Sequence, residues 1–194
     1  MPRAWPVISM ALLLLTAACT PAPPAPQAPP AVPTTPQPTG ITLPPRPREL
    51  PLDGVDPCTL LTPAQLIEFG LDGNPVAYDS TAPRFVGPAC SIRGFEPRDI
   101  TAGFALATDN GIEVLNAPGA VRDEISAITV AGFPAILARP KILDFCSVDV
   151  DVADGQFLDI IFRDGGGTPA IPQDQLCRDA VTVADAAITT LLAR

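Results

Sequence analysis

Five cysteines constrain this 194-residue chain more than any other feature. Cys19 closes the run Leu12–Leu13–Leu14–Leu15–Thr16–Ala17–Ala18, which follows a positive charge at Arg3. The apolar stretch from Val7 to Ala18 is shorter than the roughly 20 residues that a spanning helix needs. A positive start, a short apolar run and small residues before the cysteine match a secretory signal with a lipobox. Residues 1–18 are therefore expected to be a lipoprotein signal peptide, with a diacylglycerol thioether on Cys19 and cleavage just before it. Thr16 stands where lipoboxes usually carry leucine. The plainer alternative is an ordinary secretory signal with Cys19 incidental.

Residues 19–52 are dominated by Pro, Ala, Thr and Gln and hold half of the chain's 26 prolines. Such a stretch offers little apolar surface to bury and favours extended polyproline II. The reading is a lipidated cysteine followed by a disordered Pro-rich tether that holds a domain away from the membrane. A PxxP ligand is the rival reading, without any aromatic pattern to sharpen it. Residues 53–194 then form one domain, long enough for a hydrophobic core.

With Cys19 assigned to lipid, Cys58, Cys90, Cys146 and Cys177 remain. An even number in an exported domain implies disulfides. A four-cysteine zinc site fails because no CxxC pair exists. Three pairings are possible. Cys58 precedes a short helix and Cys90 begins the next ordered segment; Cys146 begins a strand and Cys177 lies early in the last helix. Cys58–Cys90 and Cys146–Cys177 are the preferred pairs.

The short helix is marked by Thr62 as N-cap, Pro63 in the first turn, Gln65 completing a capping box and Gly70 as terminator. Leu61 and Leu66 form its hydrophobic staple. Strands are expected at Thr101–Thr108, Ser126–Val130, Ala135–Ala138, Ser147–Val152 and Phe157–Arg163, while Ile112–Asn116 is either a strand or one helical turn. In the last hairpin, Gly155 is expected as a bulge residue. That register sets Val150 opposite Leu158 and Val148 opposite Ile160, and puts Val148, Val150, Val152, Leu158, Ile160 and Phe162 on the core face. Asp174 is expected to cap a long helix whose stripe is Leu176, Ala180, Val183, Ala184, Ala187, Ile188 and Leu191. The fold class is α+β, an antiparallel sheet with a short N-terminal helix and a long C-terminal helix packed on it as a two-layer sandwich.

Composition narrows the chemistry. There is no histidine, which removes Ser-His-Asp and Cys-His catalysis and histidine-ligated metals. The net charge of −9, with Lys141 as the one lysine, argues against nucleic acid and against lying on anionic lipid. Asp149, Asp151, Asp154 and Asp159 cluster at the last hairpin, with Asp149 facing Asp159. Calcium would relieve their repulsion, but Ala153 and Asp154 break the EF-hand pattern, so a solvated polar face is expected. Gly165–Gly166–Gly167 lacks a phosphate-loop pattern and reads as a flexible connector. Asp123–Glu124 reads as a solvated acidic surface, and Lys141, beside Pro140, as a loop residue rather than a Ser-Lys base.

Taken together, Asp56–Pro57–Cys58–Thr59–Leu60–Leu61–Thr62–Pro63–Ala64–Gln65–Leu66 resembles the opening signature of domain of unknown function 3558, a family of actinobacterial lipoproteins. Gly87–Pro88–Ala89–Cys90–Ser91 before a strand, an alternating strand after Cys146 and a cysteine in the last helix at Cys177 extend the resemblance to Asp56–Arg194. Ile92 stands where many members carry Trp. The resemblance implies an anchored envelope protein with paired cysteines and brings no catalytic residues.

The expected function is a membrane-anchored extracytoplasmic lipoprotein with a non-catalytic binding or scaffolding domain at the cell envelope. The alternative is a carrier or sensor of a small apolar ligand held between sheet and helix. Neither reading calls for a catalytic residue, a metal or a cofactor. The expected partners are the membrane, through the N-terminal lipid, and an envelope protein or apolar ligand. A carboxylate-based hydrolase is the least supported reading.

Overall fold

A computed structural model describes residues 41–82, 85–116 and 124–194. Cys19, the expected signal, the tether as far as residue 40 and Asp123 lie outside the described residues.

Seven strands form one antiparallel sheet. They are β1 (Val76–Ser80), β2 (Gly87–Gly94), β3 (Ile100–Ala107), β4 (Glu124–Val130), β5 (Phe133–Arg139), β6 (Phe145–Ala153) and β7 (Gln156–Asp164). Their order across the sheet is β1-β2-β3-β7-β6-β5-β4. Three helices accompany them: α1 (Pro63–Phe69), α2 (Glu113–Asn116) and α3 (Gln173–Leu192). The architecture is the expected α+β one, with α3 laid along the sheet. The ambiguous Ile112–Asn116 segment resolves into the single turn of α2.

The capping box of α1 forms in both directions. Thr62 Oγ1 accepts the Gln65 N–H at 3.3 Å, and Gln65 Oε1 accepts the Thr62 N–H at 2.7 Å. Gly70, at φ +68°, takes the left-handed conformation that ends the helix. Gln65 does a second job, since its Oε1 also accepts the Thr190 hydroxyl at 3.1 Å and so joins α1 to α3.

In the β6–β7 hairpin, Val150 pairs with Leu158 and Val148 with Ile160, and the register shifts between Asp151 and Ala153. Gly155 sits at φ +68°, as a bulge requires. The alternating apolar residues face α3. Val148, Val150, Val152, Leu158, Ile160 and Phe162 join Leu176, Ala180, Val183, Ala184, Ala187 and Ile188 in one buried cluster. Ile92 lies in that cluster too.

Both disulfides join the expected partners. Cys58, in a 3₁₀ turn at Pro57–Thr59, reaches Cys90 on β2 with Cα atoms 5.1 Å apart. Cys177 on α3 reaches Cys146 with Cα atoms 4.9 Å apart. Cys146 lies on β6, an interior strand rather than a sheet edge.

Three expectations need correction. Pro172, not Asp174, is the N-cap of α3, without a side-chain cap. Asp174 lies in the first turn and pairs instead with Arg139 at 2.7 Å. Residues 41–52, read as tether, lie against the domain: Leu52 is 1% exposed, the Leu50 N–H bonds to the Val152 carbonyl at 2.8 Å, and Arg46 pairs with Asp151 at 2.6 Å. Their proline content hid three anchoring leucines, Leu43, Leu50 and Leu52. Finally, the aspartate-bearing face is not simply solvated. Asp149 is only 6% exposed, because α2, Phe85 and Leu43 cover half of that face.

Candidate functional site

The face of the sheet turned away from α3 is half covered and half open. Cross-strand pairing explains where the boundary falls. Ala107, Phe157 and Asp151 form one line across the strands. Phe85 packs edge-on against Phe157 at 5.1 Å, and Ile112 and Leu115 complete the cover. Two residues along the strands, Tyr78, Ala89, Ala105, Asp159, Asp149 and Ile136 make the next line. Beyond it, Ser91, Gly103, Ile161 and Ser147, and then Arg93, Thr101, Arg163 and Phe145, lie under no described element.

The boundary line carries a pair of carboxyl groups. Asp149 and Asp159 are cross-strand partners on β6 and β7, with their carboxyls on the same face. Burial raises the Asp149 carboxyl well above the ordinary range, and the Asp159 charge raises it further. Burial also raises half-buried Asp159, to about 6. The two carboxyls titrate as a unit, and burial holds both above the ordinary carboxylate range. Among the described residues, no group of three His, Cys, Asp or Glu side chains is arranged to hold a metal.

On the open side, Tyr78, Ser91, Thr101, Gly103, Ile161 and Arg163 line a shallow groove of about 220 Å³. Tyr78 is 49% exposed, and its phenol is pushed up by burial first and by the Asp159 charge second. The Arg163 guanidinium stacks over the Phe145 ring at 4.9 Å. It makes no ion pair among the described residues. Apolar walls with a few convergent polar groups are what small-molecule sites generally show, although this groove is small for one.

A larger crevice of about 350 Å³ lies between Pro97–Asp99 and Gly167–Pro172. Its polar groups are already spent on one another. Asp164 accepts the Gly166 and Ile171 N–H groups at 3.0 and 2.9 Å, and Arg98 pairs with Asp179 at 3.1 Å. The Gly165–Gly167 segment is thus a braced loop, further held by the Gly165 N–H on the Asp99 carbonyl at 2.8 Å. Between the sheet and α3 the buried cluster fills the centre, and an open recess of about 410 Å³ remains at the β5 flank, lined by Leu137, Arg139, Cys177 and Val181. Lys141 lies exposed in the loop between β5 and β6, and Asp154 lies exposed in the β6–β7 turn, where its N–H donates to Glu49 at 2.8 Å. Glu124 opens β4 opposite Arg139.

The sequence brought attention to Asp149 and Asp159 but not to the groove beside them. Tyr78 and Ser91 lie on strands far from the hairpin in sequence, and only the sheet order brings them near it. A family model described as a protein of unknown function, DUF3558, matches residues 14–190. The chain belongs to this family. No curated protein and no solved structure matches it. This DUF3558 member has two disulfides, which are compatible with an oxidising, extracytoplasmic location. Among its described residues no helix is long and apolar enough to cross a membrane.

Proposed function

We propose that this DUF3558 member is a membrane-anchored extracytoplasmic lipoprotein, lipidated at Cys19, whose folded domain binds a component of the cell envelope without catalysis. The observation that carries the binding reading is the open half of the second sheet face, which ends in the groove between Tyr78 and Arg163. Antiparallel sheets commonly pack one face on the core and leave the other solvated. Here one half is sealed by apolar residues, and the other is left as a recess with hydroxyl and guanidinium groups.

Several features support the anchored reading. The Cys19 motif follows a signal-like apolar run, and two cross-links suit an oxidising compartment. Residues 20–40 would act as the spacer, and a second acyl chain would make the attachment stable. The non-catalytic reading rests on the absence of histidine and on the acid pair, whose carboxyls face each other inside the sheet instead of flanking a cleft.

Two measurements test the proposal. Mass spectrometry of the mature N-terminus should find an acylated Cys19, and Cys19→Ala should release the protein from membranes. A photo-crosslinker at Tyr78 in intact cells should capture an envelope component that the same probe at exposed Ile67 does not. An unmodified N-terminus overturns the anchor; equal, unspecific capture at both positions overturns the binding surface.

A further inference from the structure

We infer that the groove above Gly103 is a binding site for a small sugar acid, with the ligand carboxylate on Arg163 and its hydroxyls toward Tyr78. The inference rests on the binding reading above and names its ligand class.

Gly103 is the first reason. Glycine inside a paired strand weakens it, and where no bulge is present it marks a close approach by something else. Other strand glycines here are forced by the protein itself. A Cβ at Gly94 would lie 2.0 Å from the Gly70 carbonyl oxygen, and one at Gly87 would lie 2.0 Å from that of Leu106. At Gly103 the nearest neighbour of such a Cβ would be Ile161 at 3.8 Å. Protein packing does not require a glycine there, so its effect is to keep the groove floor low.

Arg163 is the second reason. In a chain with 21 acidic side chains and 12 basic ones, it has no acidic partner among the described residues. Its neighbour on the same line, Arg93, is already taken by Asp99 at 2.8 Å. Stacking on Phe145 orients the Arg163 guanidinium while leaving its donors available. A carboxylate is the complementary group, and a bidentate one adds geometric selectivity.

The far end of the groove selects the rest of the ligand. Ser91 and Tyr78 supply hydroxyls, the Tyr78 ring offers an apolar face for stacking, and Thr101 stands beside Arg163 as its cross-strand partner. Asp159 lies outside the groove lining on the Tyr78 side, and its charge disfavours a second anion there. Asp159 and Arg163 are four residues apart on β7, about 13 Å along the strand. The Asp159 charge reaches Tyr78, so a ligand carboxylate is favoured at the Arg163 end rather than at the Tyr78 end. One ring, one carboxylate at one end and hydroxyls at the other describe a sugar acid.

The test is an NMR titration of the full chain, disulfides intact, with glucuronate, glucose and acetate. Glucuronate should move the Gly103 and Arg163 amide signals and bind about tenfold tighter than glucose or acetate. Arg163→Met should weaken it about tenfold with no loss of thermal stability, and Gly103→Val should block it by raising the floor. No shift at Gly103 with about 10 mM glucuronate overturns the inference. So does equal binding of glucose, or undiminished binding by Arg163→Met. Specific crosslinking at Tyr78 in a protein that ignores glucuronate would leave the binding reading intact and remove only this ligand.

Discussion

Asp149 on β6 and Asp159 on β7 stand opposite each other on one face of the sheet, buried deeply enough that the charge state of each bears on the other. Both carboxyls are raised above their unfolded values, Asp159 to about 6. A raised folded-state value means that the folded protein binds protons more tightly than the unfolded chain. Stability from this pair is therefore full below pH 4 and lost as pH rises through about 6. Glu49 and Asp99, whose carboxyls are lowered by hydrogen bonds from the Asp154 N–H and from Arg93, act oppositely and lose their contribution in acid. Urea unfolding should show the pair costing on the order of 2 kcal/mol between pH 4.5 and pH 8. Asp159→Asn should remove the Asp159 share of that loss and leave the part that comes from burial of Asp149. A variant with the wild-type pH dependence would show that Asp159 contributes none of it.

Two glycines should respond in opposite ways to the same change. Gly94→Ala would press a methyl group onto the Gly70 carbonyl, where both partners are backbone. It should cost about 1–3 kcal/mol. Gly103→Ala meets ordinary contact distances and lowers the entropy of the unfolded chain, so it should raise stability by about 0.5 kcal/mol. Thermal melts of the two variants side by side measure the contrast.

The β4–β5 hairpin carries the one non-glycine residue with positive φ among the described residues, Ala131 at +46°, followed by Gly132 at +86°. Asp185 on α3 accepts the Ala131 N–H at 2.9 Å and so holds the turn against the helix. A left-handed alanine costs about 1–2 kcal/mol, part of which glycine gives back as chain entropy. Ala131→Gly should raise stability by about 0.5 kcal/mol. A lower melting temperature would mean that the turn is not strained.

Leu52 tests where the domain begins. It is buried at 1% exposure, and its N–H bonds to Gln156 Oε1 at 2.7 Å. Leu52→Ala should cost about 2–4 kcal/mol in urea unfolding. A change within about 0.5 kcal/mol would place the residue in the tether after all.

Much of the fold was legible locally. The α1 capping box, the bulged β6–β7 register and the stripe of α3 each follow from residues within one or two turns of chain. The pairing of Cys58 with Cys90 followed from placing both at the start of ordered segments. β1 was not legible, because Val76–Ser80 is an edge strand exposed at four of its five positions and has no buried alternation. Burial of Asp149 was also hidden, since its cover comes from residues 41–46 and α2, remote in sequence. The groove is the same kind of feature. Its residues come from four segments, and no one of them signals it alone.

The way residues 41–58 are fixed has a mechanical consequence. Tension drawn through the chain from its N-terminal side would first load the two hydrogen bonds between the Ile41 backbone and the Asn116 side chain, and then the Arg46–Asp151 ion pair and the Leu50–Val152 hydrogen bond on the β6–β7 hairpin. It would next have to extract Leu52, and would then stop at the covalent Cys58–Cys90 link. Beyond that link the force passes into β2 in the body of the sheet, bypassing α1. Any pull from the N-terminal side therefore spends its work first on a strap of about a dozen residues, of which Leu52 is the one set in the core.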